Sequence, residues 1–222
     1  MIGSGKELVV TSAPILYGAP YSVYVRAVRL ALAEKGVPYR LEPIDVFAET
    51  GPPAALLERQ PFGRIPAFEH DGFKLYEAGA IERYVDEAFP GPALQPSAPR
   101  ERARVNQVIS ILDSYAYRTL VWDIYVERVS NPRKGRPPDE ARIQAALPKA
   151  QLCLRAIGEL MGGGPCLAGA ALTLADLHAA PMFAYFTLAP EAGPLLADQP
   201  AIKAWWERMA QRPAMRATAQ PA

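Results

Sequence analysis

The chain has 222 residues, longer than the usual domain of roughly 100–150 residues, so one large domain or two unequal ones are the natural options and two is the expectation. Half of the residues are apolar and 21% are charged, and 24 basic against 23 acidic side chains give a formal net charge of +1, which excludes disorder and the basic field that a nucleic-acid partner needs. Two cysteines, Cys153 and Cys166, form neither a disulfide framework nor a C-x-x-C pair, and two histidines, His70 and His178, have no carboxylate or thiol cluster beside them in sequence, so no metal site is expected.

Met1 to Glu7 carry no apolar h-region and no run of 18 apolar residues follows, so neither a signal peptide nor a membrane span is expected and the cytosol is the predicted compartment. Ile15, Leu16 and Tyr17 read as a buried strand ended by Gly18 and Pro20, which Leu8 to Val10 can lengthen. From Val23 to Lys35 apolar residues recur at three and four positions, an amphipathic helix closed by Lys35, Gly36 and Pro38. Tyr39 to Ile44 then reads as a strand, and the three elements make a βαβ unit with parallel strands.

A short helix is predicted near Ala54 to Arg59. Ile65 to Glu69 and Phe73 to Tyr76 are strands joined by His70, Asp71 and Gly72, an antiparallel hairpin, and Glu77 to Phe89 is a helix with Ile81, Tyr84, Val85 and Ala88 on one face. Between Phe89 and Arg100 four prolines stop helices and favour an extended connector. Beyond it, helices are predicted over Glu101 to about Val129, Glu140 to Met161, Leu174 to Leu188 and Ala201 to Gln211, with a kink or late start at Pro148.

Four segments, in this order and spacing, resemble the soluble glutathione transferases. They are Leu16-Tyr17-Gly18-Ala19-Pro20-Tyr21-Ser22 with Ala33-Glu34-Lys35-Gly36, then Gln60-Pro61-Phe62-Gly63-Arg64-Ile65-Pro66-Ala67, then Leu75-Tyr76-Glu77-Ala78 with Ala80-Ile81, and Leu172-Thr173-Leu174-Ala175-Asp176. The resemblance spans about Ile15 to Ala214 and is to the theta-like and phi-like members that use a serine. It implies an α/β N-terminal thioredoxin-like domain (βαβαββα, residues 12–91), a linker (92–98) and an all-α C-terminal helical bundle domain (99–222). It also implies a cytoplasmic transferase of the detoxification kind, a homodimer that uses glutathione as co-substrate and joins its thiolate to a small hydrophobic electrophile. A glutathione-dependent peroxidase, dehalogenase or isomerase would share the first half of that chemistry, and a non-catalytic binding or regulatory module is the alternative of another class.

The resemblance assigns roles residue by residue, and each has a plain alternative. A free thiol of pKa about 8.5 needs help to ionise at neutral pH. Ser22, before the first amphipathic helix, stands where the family has its catalytic serine; as a bare N-cap it would only accept a backbone hydrogen bond, and Tyr17 or Tyr21 could supply the donor instead. The bond before Pro66 is expected to be cis, turning the Ile65 backbone toward the cysteinyl unit of glutathione as an added strand; otherwise Pro66 is an ordinary edge proline.

Glu77 is expected to take the α-ammonium of the γ-glutamyl unit and the N–H of Ala78 its carboxylate, while the alternative for Glu77 is a helix-dipole acid. Relatives usually carry serine where this chain has Ala78, and Gly51-Pro52-Pro53 fill the loop from which related classes contribute a lysine. Arg64 can grip a carboxylate or stand exposed. Thr173 and Asp176 read as a capping box with a structural job. Trp122, Tyr125, Met182 and Tyr185 are candidates for an electrophile wall or for core.

Overall fold

The computed structural model describes residues 12–219, so the expected strand extension at Leu8 to Val10 and the last stretch of the predicted helical domain, 220–222, lie outside the described residues. The first half of the chain runs β1 (Ile15–Tyr17), α1 (Val23–Glu34), β2 (Arg40–Glu42), α2 (Ala54–Leu57), β3 (Ala67–His70), β4 (Phe73–Tyr76) and α3 (Ala78–Ala88). The four strands form one sheet in the order β2-β1-β3-β4, with β1 parallel to β2 and antiparallel to β3, and β3 antiparallel to β4. This is the expected thioredoxin-like βαβαββα arrangement. The hairpin's first strand starts at Ala67 rather than Ile65, because Pro66 has no N–H to give to a ladder.

Helix α1 buries Val23, Val25, Ala27, Val28, Leu30, Ala31 and Leu32, a full apolar stripe that packs on α3 and on the second half of the chain. Its end is closed as the sequence suggests, with Gly36 at φ 67° and the Val37 N–H reaching back to the Leu32 carbonyl at 2.9 Å. Lys35 does more than face the dipole. Its buried ammonium donates to the Asp86 carbonyl (2.8 Å), the Asp86 carboxylate (3.1 Å) and the Pro92 carbonyl (3.1 Å), which ties α1 to α3 and to the connector behind it.

The second half is helical: α4 (Pro99–Ile111), a π-wound continuation (Leu112–Ser130), α5 (Asn131–Arg133), α6 (Glu140–Leu160), α7 (Leu174–Phe186), α8 (Ala192–Ala197), α9 (Pro200–Ala210) and α10 (Pro213–Ala217). The predicted helix from Glu101 thus runs on to Arg133 with widened turns, and α8 and α10, too short to show a clear period, were not anticipated. Helix α6 passes through Pro148 without starting late. Pro148 and Gln144, whose carbonyl loses its helical partner, both lie on the exposed face, where water can serve that carbonyl.

Helix α7 is the centre of this half, buried almost all round, from Leu174 through Phe183. Its start is the capping box the sequence predicts, and Asp176 there is fully buried. Its carboxylate accepts from the Thr173 N–H (2.8 Å) and hydroxyl (3.0 Å), the Leu167 N–H (2.8 Å) and the Trp205 indole (2.8 Å). Burial raises its pKa, and those four donors act against the rise. Asp176 therefore joins the α7 start, the loop before it and α9, a structural role.

Candidate active site

The register of the sheet places the candidate segments together. Tyr17 pairs with Ala67, and Ala67 with Tyr76, so the β1–α1 turn, Ile65-Pro66 and Glu77 all leave from one end of the sheet. The Ile65-Pro66 bond is cis, as the resemblance implies. Gly18 lets the turn close onto this edge: a Cβ there would stand 2.3 Å from a methyl of Val25 and 3.4 Å from the Ile65 Cβ. No larger residue fits that approach. Arg64 and Glu77, with Phe62, line an open cavity of about 360 Å³ at the same end.

Ser22 is the N-cap of α1, with its hydroxyl oxygen accepting from the Val25 N–H at 3.3 Å. The capping role leaves its one O–H donor to be aimed elsewhere, because a hydroxyl donates once and accepts twice. The two tyrosines are engaged. Tyr17 donates to Glu69 (3.3 Å) with the Arg59 guanidinium 4.7 Å over its ring, and Tyr21 donates to Asp45 (2.6 Å). Burial and the Asp45 carboxylate raise the Tyr21 phenol well above its usual pKa, so it keeps its proton.

Glu77 is the N-cap of α3 in a conformation rare for a side-chain-bearing residue, φ 71° and ψ 115°, and its carboxylate makes no capping hydrogen bond. It stands exposed, so the chain holds a strained backbone there without using the acid to cap its own helix. Ala78 is buried and opens the helix, where the first N–H groups have no intrahelical partner. Arg64 is exposed, and its turn is held by buried Gln60, whose side-chain oxygen accepts from the Arg64 N–H at 3.0 Å.

Beside Ser22 lies a row of rings. Tyr21 and Phe47 have centroids 5.9 Å apart, and Phe47 and Trp122 6.3 Å apart in an edge-on arrangement. Phe47 is 66% exposed. Tyr185 stacks on Tyr125 at 4.5 Å and its hydroxyl donates to the Tyr21 carbonyl at 2.7 Å. Of the four wall candidates, Trp122, Tyr125 and Tyr185 thus reach this region, directly or through their stack, while Met182 is wholly buried in the core.

Sequence reasoning missed Phe47, which sits in an irregular loop with no period to flag it. It also set His178 aside as isolated, and this needs correction. In space His178 has a carboxylate on each ring nitrogen: Nδ1 lies 2.9 Å and 3.1 Å from the two oxygens of Glu82, and Nε2 lies 2.9 Å from Asp113. The partners are 96 and 65 residues away in the chain, so no local pattern could have shown them. No group of three or more His, Cys, Asp or Glu side chains that could hold a metal ion occurs among the described residues.

Comparison with known proteins agrees with this geometry. The family description "Glutathione S-transferase, N-terminal domain" matches residues 16–93, and "Glutathione S-transferase, C-terminal domain" matches residues 114–213. The chain is 32% identical to glutathione S-transferase F13 of Arabidopsis thaliana, over 90% of this chain and 91% of that protein. Among solved structures it is similar to glutathione transferase F7 of Populus trichocarpa (31% identity, TM-score 0.82, 92% and 97% of the two chains). It is also similar to the maize glutathione S-transferase I solved with an atrazine glutathione conjugate (27% identity, TM-score 0.82, 93% and 96%). Two domain matches in sequence order, near-complete coverage of both chains and a sheet whose cis proline and helix start meet at one end place this chain in the glutathione S-transferase family.

Proposed function

We propose that the chain is a glutathione transferase that activates the thiol of glutathione and joins it to a small hydrophobic electrophile. Glutathione lies along the Ile65 edge, where main-chain groups beside cis-Pro66 pair with its cysteinyl unit. The first N–H groups of α3, from Ala78, receive the γ-glutamyl carboxylate, and Glu77 takes the α-ammonium. Arg64, which lines the cavity with Glu77, takes a carboxylate of the tripeptide. Ser22 donates to the sulfur, and the positive end of α1 lowers the cost of the thiolate. The electrophile rests on Phe47 and Trp122.

The observation that carries this reading is the convergence of the Ser22 turn, the Ile65 edge and the Glu77 helix start at one end of the sheet. Neither tyrosine competes well for the thiol, since each phenol already donates to a carboxylate. The solved relative holding a glutathione conjugate supports glutathione as the co-substrate. We place the protein in the cytoplasm; no helix among the described residues is long and apolar enough to cross a membrane.

The chain also forms a homodimer in this reading. Phe62, 69% exposed, stands edge-on to Tyr76 at 6.2 Å and forms an apolar knob beside the cavity, the kind of exposed aromatic pair that marks an interface. Phe62→Glu is expected to shift the protein from dimer to monomer in sedimentation velocity. An unchanged dimer would place the interface elsewhere.

Thermal unfolding with glutathione tests the function. A ligand held only by the native state at about 100 times its Kd adds about 2.7 kcal/mol, which for a chain of this size raises Tm by roughly 5–10 °C. Turnover with a chromogenic aryl halide then separates an enzyme from a binding module. A melting temperature indifferent to millimolar glutathione would overturn the reading.

A further inference from the structure

The ring of His178 is completely buried, and both of its nitrogens face carboxylate oxygens. A neutral imidazole would set a lone pair against one of those carboxylates, so with both carboxylates ionised the arrangement puts a proton on each nitrogen. Burial disfavours that charge, but the Glu82 and Asp113 carboxylates outweigh it and hold the pKa up at about 10. Asp113 is affected in turn: burial alone would raise its carboxyl, and the His178 hydrogen bond brings it below the ordinary range. The groups that face the ring are Glu82 from α3, Asp113 from the π-wound segment and Tyr24 from α1, whose ring centroid is 5.6 Å away.

The two carboxylates belong to elements with different tasks. Glu82 lies about 6 Å along α3 from Ala78, at a rise of about 1.5 Å per residue, so whatever fixes Glu82 fixes the helix start that holds the γ-glutamyl end of glutathione. Asp113 stands one turn before Tyr117 on the segment that also carries Trp122. Tyr117 packs on Tyr24 at 4.6 Å, and the Tyr24 hydroxyl shares a hydrogen bond with Asp113 and feels the charge of Glu77. Arg64 in turn acts on the Tyr117 phenol. The buried cluster therefore abuts the candidate site on both sides without lining it.

We infer that His178 is a positioning residue for the conjugation proposed above: its ring clamps α3 against the segment carrying Tyr117 and Trp122, and so sets the spacing between the glutathione half and the electrophile half of the cleft. This rests on the proposed function. It assigns to His178 no contact with either substrate. Misplacement by an ångström between two bound reactants costs up to about a hundredfold in rate, so a clamp of this kind acts on turnover more than on the affinity of either partner.

The test compares the parent with His178→Gln and Asp113→Asn, measuring kcat, KM for glutathione and KM for a chromogenic aryl halide at pH 7, with thermal unfolding of each variant. The expected result is a fall in kcat of roughly tenfold or more in variants that remain folded at the assay temperature, with KM for glutathione changed by no more than about threefold. Folded variants with parental kcat overturn the inference. If His178→Gln does not fold, Asp113→Asn decides alone, because Asp113 is open to solvent on one side and the change is nearly isosteric. Ring-nitrogen NMR gives a second readout, since the chain has two histidines. A doubly protonated His178 ring at pH 7 to 9 is expected, and a neutral tautomer there overturns the clamp. A parent protein that neither binds nor turns over glutathione sinks the proposed function and this inference together, whereas an active parent with equally active variants sinks the inference alone.

Discussion

The hydroxyl of Tyr185 donates to the backbone carbonyl of Tyr21 at 2.7 Å, joining α7 of the helical half to the turn that presents Ser22. The bond is made one residue before the candidate catalytic serine, so it restrains the turn from the helical half. Tyr185→Phe keeps the ring stacked on Tyr125 and removes the hydroxyl. It is expected to lower kcat about threefold to tenfold and stability by about 1 kcal/mol, read by steady-state kinetics and urea unfolding. A full rate in the Phe variant would mean the turn is held by other contacts.

Ser22 caps a helix and is placed to serve a thiolate, and the two roles separate by substitution. Ser22→Ala removes both, with an expected loss of about 1 kcal/mol in stability and about a hundredfold in kcat/KM. Ser22→Asp preserves the cap, since aspartate is as good an N-cap as serine, but an ionised carboxylate donates nothing and repels a thiolate. Its Tm should stay near that of the parent while conjugation is lost. An active Ser22→Asp enzyme would reduce Ser22 to a cap.

Glu77 carries charge into the cavity without capping its own helix. Glu77→Gln is expected to raise KM for glutathione about tenfold, the worth of one charge-assisted hydrogen bond at a partly exposed site, and to leave kcat within about twofold. The same substitution should barely change affinity for a glutathione analogue that lacks the α-ammonium. Equal losses for both ligands would remove the ammonium contact.

Stability should fall in alkali because of His178. Its pKa is about 10 in the folded chain against 6.5 for an unperturbed histidine. A raised folded-state value means that the native state holds the proton more tightly. Its contribution is therefore fully present below about 6.5 and is lost as the pH climbs through about 10. Urea midpoints measured from pH 6 to 10 should decline over that window, and the decline should flatten in Glu82→Gln. Parallel slopes in the two proteins would show that other groups titrate instead.

Periodicity and punctuation made most of the fold legible. The α1 stripe, its Gly36 close, the hairpin around Asp71-Gly72 and the Thr173–Asp176 cap all arise from neighbours in the chain, where spacing carries the information. The family resemblance also pointed to Ser22, Ile65-Pro66 and Glu77, for each of which local pattern alone left a plain structural alternative. What it could not convey are contacts made across long separations. The Glu82–His178–Asp113 cluster has no local signature, and a histidine amid apolar residues reads as core until its partners arrive from other helices. Phe47 escaped notice for a different reason: an irregular loop assigns no face to its side chains. Pro148 did not delay the start of its helix, since a proline on a wetted helix surface breaks less than one in a core.

The three donors of the Lys35 ammonium are all committed, to Asp86 twice and to Pro92, beneath a covered surface. An amine in that state is a poor nucleophile, because reaction would require stripping it from every acceptor at once. Acylating dyes, cross-linkers and bead-coupling chemistries should therefore pass over this lysine in the native protein and reach it only after the fold has opened. Its labelling would then serve as a chemical clock for separation of the first helix from the third.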